Sequence, residues 1–391
     1  MPIDIARARA DTPGCAEVLH FNNAGAALMP RVVLDAIKDH LDLEARIGGY
    51  EAADREEPRW ERAYDAIAAL IGCGRDEVAI VENATRAWDM AFYAVPLQAG
   101  DRVLTVRAEY MSNYLALLQV ARKTGATIEL IPGDESGQAD VAALARMMDE
   151  RVRLVVVTHA SGSGGLVNPV EAIGRVVKES RAWFLVDACQ SAGQIPLDVD
   201  RIGCHMLSST GRKFLRGPRG VGFLYVRRAI LDELEPPFVD MRAADWTSPG
   251  RYQWRRDARR FENWETNYAT KIGLAVAVDY ALGFGLAAIH QRTTALAEQL
   301  RAALGRLRGV RVHDLGIERS GIVTFTAEGR DAAALREALL GQGMNTSVSR
   351  VEHSRLDLGS RGLERLVRAS PHYYNTEEEV ERFAAAVAAL A

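Results

Sequence analysis

"SSTGRKFLRGPRGVGF", Ser208–Phe223, holds the only lysine between Lys178 and Lys271. Lys213 stands where a strand-like run ends and a glycine-rich turn begins. A lone lysine is ordinarily a solvated surface group. Lysine is also the amine that forms Schiff bases with carbonyl compounds, and Ser208, Ser209, Thr210 and Arg212 place hydroxyls and a cation beside this one. Upstream, "WFLVDACQ" (183–190) puts Asp187 after four apolar residues and Gln190 three positions on. An acid buried at a strand end needs a partner, although an exposed one is often only a turn former. Further upstream, "ENATRAWDMAF" (82–92) lets Asn83, Ala84 and Thr85 leave a strand and open a helix. Such an N-terminus is either a plain cap or a phosphate site.

These segments sit in an alternating pattern. "DEVAIVEN" from Asp76, "DRVLTVRAEY" from Asp101, "TIELIPG" from Thr127, "RLVVVTHA" from Arg153, "WFLVDA" from Trp183 and "VGFLYV" from Val221 read as short buried strands. "MSNYLALLQVARKTG" and "VEAIGRVVKESR" between them read as amphipathic helices. The pattern predicts an α/β fold with a mostly parallel sheet covered on both faces, whose strand ends gather ligands. After Phe261 a long alanine-rich stretch predicts a bridging helix pair. "NTEEEVERFAAAVAALA" predicts a last helix capped by Asn375 or Thr376. The expected division is a large domain over 21–289 and a smaller α+β domain from 1–20 and 290–391.

The 391 residues are 48% hydrophobic and 26% charged, with a formal net charge of -4. No basic excess calls for a nucleic-acid partner. Cys15, Cys73, Cys189 and Cys204 make no CxxC pair, which points to a reducing, cytoplasmic compartment. The start lacks an apolar signal core, and no apolar run is long enough to span a bilayer. No motif calls for a metal.

A phosphate cup, a buried acid with a glutamine, and a lysine 26 positions after the acid together meet the needs of pyridoxal phosphate. On these residues, and along the chain from "FNNAGAALMP" to "RASPHYYNTEEEVERF", the sequence resembles the fold-type I, class V aminotransferase group. That group includes cysteine desulfurases, isopenicillin N epimerase and the C–S lyase of ergothioneine biosynthesis. The resemblance implies that Lys213 is the Schiff-base lysine, that Asp187 pairs with the pyridine nitrogen and that Gln190 bonds the ring oxygen. It implies that Ala84, by its backbone, and Thr85 bind phosphate with Thr210 and Arg212, and that Tyr110 stacks on the ring. Arg368 of "VRASPHYYN" would clamp the substrate α-carboxylate, with His372 and Tyr373 either shaping the pocket or packing. Asn23, Ala24 and Gly25 would lie over the substrate. Gly48, Gly49 and Tyr50 would stand at the mouth of a site shared across a homodimer. "RFENWETN" departs from the group's "RxExGT", leaving Thr266 or Asn267 to reach the partner subunit's phosphate. Ser161 and Ser163 replace an asparagine-rich turn.

The same resemblance bears on the reaction. Desulfurases of the group carry sulfur on a mobile cysteine in the C-terminal third. Here no cysteine follows Cys204, and "NTSVSRVEHSRLDLGSRG" has no thiol. The expected substrate is a small amino acid and the expected reaction β-elimination, acting as a C–S lyase on a cysteine S-conjugate and releasing pyruvate and ammonia. Epimerisation and class V transamination are the alternatives. A catalytically inactive scaffold is opposed by the retention of Lys213, Asp187, Gln190 and Arg368.

Overall fold

The computed structural model describes residues 3–391, so the first two residues of the expected 1–20 segment lie outside the described residues. Seven strands form the main sheet: β1 (Val78–Val81), β2 (Arg102–Thr105), β3 (Thr127–Leu130), β4 (Val152–Thr158), β5 (Trp183–Asp187), β6 (Met206–Thr210) and β7 (Gly222–Val226). Their order is β1-β7-β6-β5-β4-β2-β3. All neighbours are parallel except β7, which runs antiparallel to both β1 and β6.

Successive side chains on a strand point to opposite faces, so a continuous apolar run must be covered twice. Val155 and Val157 of β4, with Phe184 and Val186 of β5, join one buried cluster. Leu154, Val156 and Leu185, one step out of phase, join the other. Helix α1 (Arg31–Ile47) precedes the covering helices, which include α2 (Glu57–Ile71), α3 (Ala84–Phe92), α4 (Met111–Thr124) and α5 (Val170–Lys178).

The alanine-rich stretch forms α6 (Tyr268–Phe284) and α7 (Leu286–Gly305), bent by 80° at Gly285, whose φ of 86° admits the turn. Among the described residues no single helix is long and apolar enough to cross a membrane. A hairpin of β8 (Ala244–Ser248) and β9 (Arg251–Trp254) precedes α6 and was not foreseen from the sequence.

A second, antiparallel sheet has the order β10-β11-β13-β12, from Val310–Val312, Val323–Ala327, Arg365–Ala369 and Ser347–Arg350. It packs its own cluster of Leu296, Leu300, Val323, Phe325, Val367 and Phe383. Leu19–His20 pairs with Met344–Asn345, tying the N-terminal segment to this part. The separate sheets and clusters support, as a proposal, the division into 21–289 and 1–20 with 290–391. The last helix spans Glu377–Leu390. Thr376 is its cap: the Thr376 hydroxyl accepts from the Glu379 amide at 3.2 Å, and the Glu379 carboxylate accepts from the Thr376 amide at 3.1 Å.

Candidate active site

The carboxyl ends of β4, β5 and β6 open into a cavity of about 580 Å³. Of the residues singled out in the sequence, Ala24, Gly25, Ala84, Thr85, Tyr110, Asp187, Gln190, Thr210, Arg212, Lys213 and Arg368 line it, and so do Ser161 and Ser163. Asn23 and Tyr50 do not. The Asn23 amide donates to the Ser370 carbonyl at 2.7 Å, and its oxygen accepts from the Tyr374 hydroxyl at 2.5 Å. Its polar atoms are thus spent on fixing the loop that presents Ala24 and Gly25. Tyr50 is 72% exposed and lies with Gly49, Thr266 and Asn267 along a separate outer groove of about 940 Å³. His372 and Tyr373 are fully buried and pack behind the cavity.

Asp187 ends β5 and is buried. Its carboxylate accepts from the Cys189 amide and the Asn113 side-chain amide, both at 2.9 Å. The other hydrogen of the Asn113 amide group goes to Glu109 at 2.8 Å. Glu109, which the sequence reading passed over, is the most heavily bonded acid of the site. It accepts from the hydroxyls of Thr158 at 2.5 Å and Thr105 at 3.1 Å, and from the amides of Tyr110 at 2.9 Å and Thr158 at 3.2 Å. Burial pushes its carboxyl up, the Thr158 hydroxyl opposes this, and the neighbouring Asp187 adds to it. Glu109 thereby joins the ends of β2 and β4 to the start of α4. The only hint in the sequence is an acid four residues before Asn113, which is too common a pattern to single out.

Lys213 follows β6 at the cavity wall. Burial lowers the proton affinity of its amine, opposed by Cys189 and Asp187 and reinforced by Arg212 and Arg368. Arg212 donates to the Gly25 carbonyl and Arg368 to the Gly162 carbonyl at 2.6 Å, so the Ser161–Ser163 turn anchors Arg368. Burial, with Arg212 beside it, draws Arg368 down to about 10. Its Nε is buried without a protein partner. The one thiol lining the cavity is Cys189. Burial pushes it well above its ordinary value, with the Asp187 carboxylate adding to the shift.

The residues fit pyridoxal phosphate on two observations. Asn83 caps α3 by accepting from the Arg86 amide at 2.9 Å, which leaves the first turn facing the cavity through Ala84 and Thr85. Gly222 allows this approach: a Cβ there would stand 2.6 Å from the Ser209 carbonyl oxygen and 3.0 Å from the Ala84 nitrogen. Gln190 is buried, with its Nε2 on the Ala24 carbonyl at 3.1 Å and its Oε1 unpartnered. A buried polar atom without a protein partner, in the same cavity as a carboxylate and a lysine, suits a polar ligand.

The sequence profile described as "Aminotransferase class-V" matches residues 19–383. A probable cysteine desulfurase of Halobacterium salinarum is 31% identical, with 99% of this chain and 96% of the relative covered. The apo structure of a cysteine desulfurase from Thermococcus onnurineus superposes with a TM-score of 0.93 at 27% identity, covering 100% of this chain and 98% of the other. The complex between the cystine C–S lyase C-DES and its reaction product cysteine persulfide superposes with a TM-score of 0.87 at 25% identity, covering 96% and 99%.

Proposed function

The chain belongs to the class-V aminotransferase family of pyridoxal-phosphate enzymes, and from that premise we propose that it eliminates the β-substituent of a cysteine S-conjugate or its sulfoxide, with one water consumed, releasing pyruvate, ammonia and a sulfur-bearing fragment. The supporting observation is the placement of thiols. Ser349, Arg350 and His353 bring the C-terminal segment to the cavity without a cysteine. Cys189, the one thiol there, is buried beside Asp187, and its raised proton affinity keeps it out of the thiolate form that attacks sulfur. This supports a reaction in which sulfur leaves with the product rather than on the protein.

When bound at Lys213, pyridoxal phosphate supplies an electron-accepting ring that weakens the bonds at the substrate Cα. Asp187, held by Asn113 and the Cys189 amide, presents a fixed carboxylate to the ring nitrogen. Arg368 receives the α-carboxylate in a charge-assisted pair and so orients Cα. Burial leaves more of the Lys213 amine neutral near pH 7 than an ordinary lysine would have, and the neutral amine is the form that takes a proton from Cα. Ala24 and Gly25, pinned by Gln190 and Arg212, cover the substrate side.

A homodimer with shared sites is part of the same proposal. It is supported by the exposed apolar side chains of Phe238, Val239, Met241, Trp246, Tyr252 and Trp264. These lie on or near the hairpin, and Tyr50, Thr266 and Asn267 line the outer groove where a second copy would dock. A cytoplasmic setting is supported by the four free cysteines.

The experiment is to offer cysteine, cystine and a series of S-substituted cysteines and assay pyruvate, alanine and sulfane sulfur. Pyruvate in step with substrate loss is expected. Alanine with sulfane sulfur would indicate desulfuration. Cα-proton exchange without pyruvate would indicate epimerisation, and either outcome replaces this reading.

A further inference from the structure

Three residues past Lys213, Arg216 adopts a φ of 61°, alone among the non-glycine residues described. A side chain in the left-handed region crowds its own backbone, and glycine is the usual occupant. The next residue is Gly217, so the chain places an arginine at the strained position with a glycine directly beside it. The side chain is 1% exposed. Its guanidinium donates to neutral oxygens: the Leu28 carbonyl at 2.9 Å, the Tyr373 hydroxyl at 2.7 Å and the Thr12 hydroxyl. Three rings surround it, with centroids 4.4 Å (Tyr374), 5.1 Å (Tyr373) and 5.7 Å (Tyr280) from its central carbon.

The contacts through the Arg216 backbone, Leu28, Tyr373 and Tyr374 lead to the site. The Arg216 amide donates to the Lys213 carbonyl at 2.9 Å, closing the turn directly behind the lysine. Leu28 ends the segment that presents Ala24 and Gly25, and its amide donates to the Tyr374 hydroxyl at 3.3 Å. Tyr373 and Tyr374 follow Arg368 by five and six residues. The other side of the turn rests on Gly193, where a Cβ would lie 2.4 Å from the Phe214 carbonyl carbon. His372 donates from Nε2 to the Phe214 oxygen at 2.8 Å.

We propose that Arg216 is a positioning residue for Lys213: one caged cation fixes the lysine turn, the loop over the substrate and the segment after Arg368 to a common anchor. The proposal rests on reading Lys213 as the cofactor-bearing residue. A misplaced amine slows capture of an aldehyde even when the protein is folded, and this separates positioning from mere stability.

The test strips the holoenzyme of cofactor and follows growth of the visible band on adding pyridoxal phosphate, with circular dichroism fixing the folded fraction. Arg216→Gly tolerates the positive φ but removes the cage. It is expected to capture the cofactor about tenfold more slowly than wild type at a temperature where both are fully folded. Arg216→Lys, which keeps the charge over the rings but loses the fork, is expected to fall between them. Capture by Arg216→Gly at the wild-type rate, whatever its melting temperature, overturns the proposal. Should Arg216→Gly fail to fold, Thr12→Val removes a single acceptor, and slower capture by it and by Arg216→Lys is then expected. Wild-type rates in both overturn the proposal. A wild-type protein with no visible band would instead sink the reading of Lys213. A wild-type band with unaltered variants sinks the positioning role alone.

Discussion

Lys213 and Lys271 are both buried amines whose proton affinity burial has lowered. They differ in what surrounds them. Lys271 lies at the outer groove, 4.0 Å from the Glu262 carboxylate and 5.9 Å from the rings of Trp60 and Tyr268. That carboxylate is itself held by the Tyr64 hydroxyl and the Ile80 amide at 2.8 Å and by Arg242 at 3.0 Å. Lys213 stands among Asp187, Cys189, Arg212 and Arg368, and its closest surroundings are arranged for a ligand. A buried lysine with a settled ion pair is a structural element, whereas one at the wall of an open cavity is poised for chemistry. The larger hollow is also the less informative one. At about 940 Å³ the outer groove exceeds the 580 Å³ cavity, yet the convergent, anchored polar groups are in the smaller.

Substitution at the two lysines puts the contrast to its hardest test. Lys213→Ala should abolish the visible band near roughly 400–430 nm and turnover with it. Lys271→Met should keep both and lower stability by about 1–3 kcal/mol, read by urea melting, because Glu262 retains its other donors. A Lys271 variant that loses the band would erase the distinction.

Arg368→Ala comes next. Losing a buried partner for the α-carboxylate should lower kcat/KM about a hundredfold, with the cofactor spectrum unchanged. A spectral change instead would place Arg368 on the cofactor.

The smallest expected effect sharpens the inner site itself. Glu109→Gln puts an NH₂ group against hydroxyl and amide donors, which should cost about 2 kcal/mol of stability. It should also speed cofactor loss from the holoenzyme several-fold, followed by gel filtration and absorbance. Stability loss with unaltered cofactor retention would reduce Glu109 to a scaffold role.

Much of this was legible in the chain. Runs such as "RLVVVTHA" and "WFLVDA" could only be strands covered on both faces, and their polar ends marked the cavity. The direction of β7 was not legible, because a run like "VGFLYV" reads the same parallel or antiparallel. The β8–β9 hairpin escaped because Asp245, Trp246, Thr247 and Ser248 are all exposed and show no buried face to alternate. Asn23 looked like a ligand for substrate, but its partners, Ser370 and Tyr374, lie some 350 residues away. Glu109 and Arg216 were missed for the same reason. Their roles are set by Thr158, Thr12 and Tyr373, which only the folded chain brings near them.

The antiparallel placement of β7 has a consequence for the order of assembly. β6 and β7 form a local hairpin around the lysine turn, while β7 reaches β1 only by pairing Val81 with Gly222 across some 140 positions. Loop-closure entropy delays such distant pairings relative to local ones. On that ordering the lysine hairpin forms early, whereas the distant anchors of its turn at Thr12, Leu28 and Tyr373, and the proposed phosphate cup where α3 meets Gly222, are completed late. Cofactor capture during refolding would then report arrival of the N-terminal strand rather than formation of the lysine hairpin.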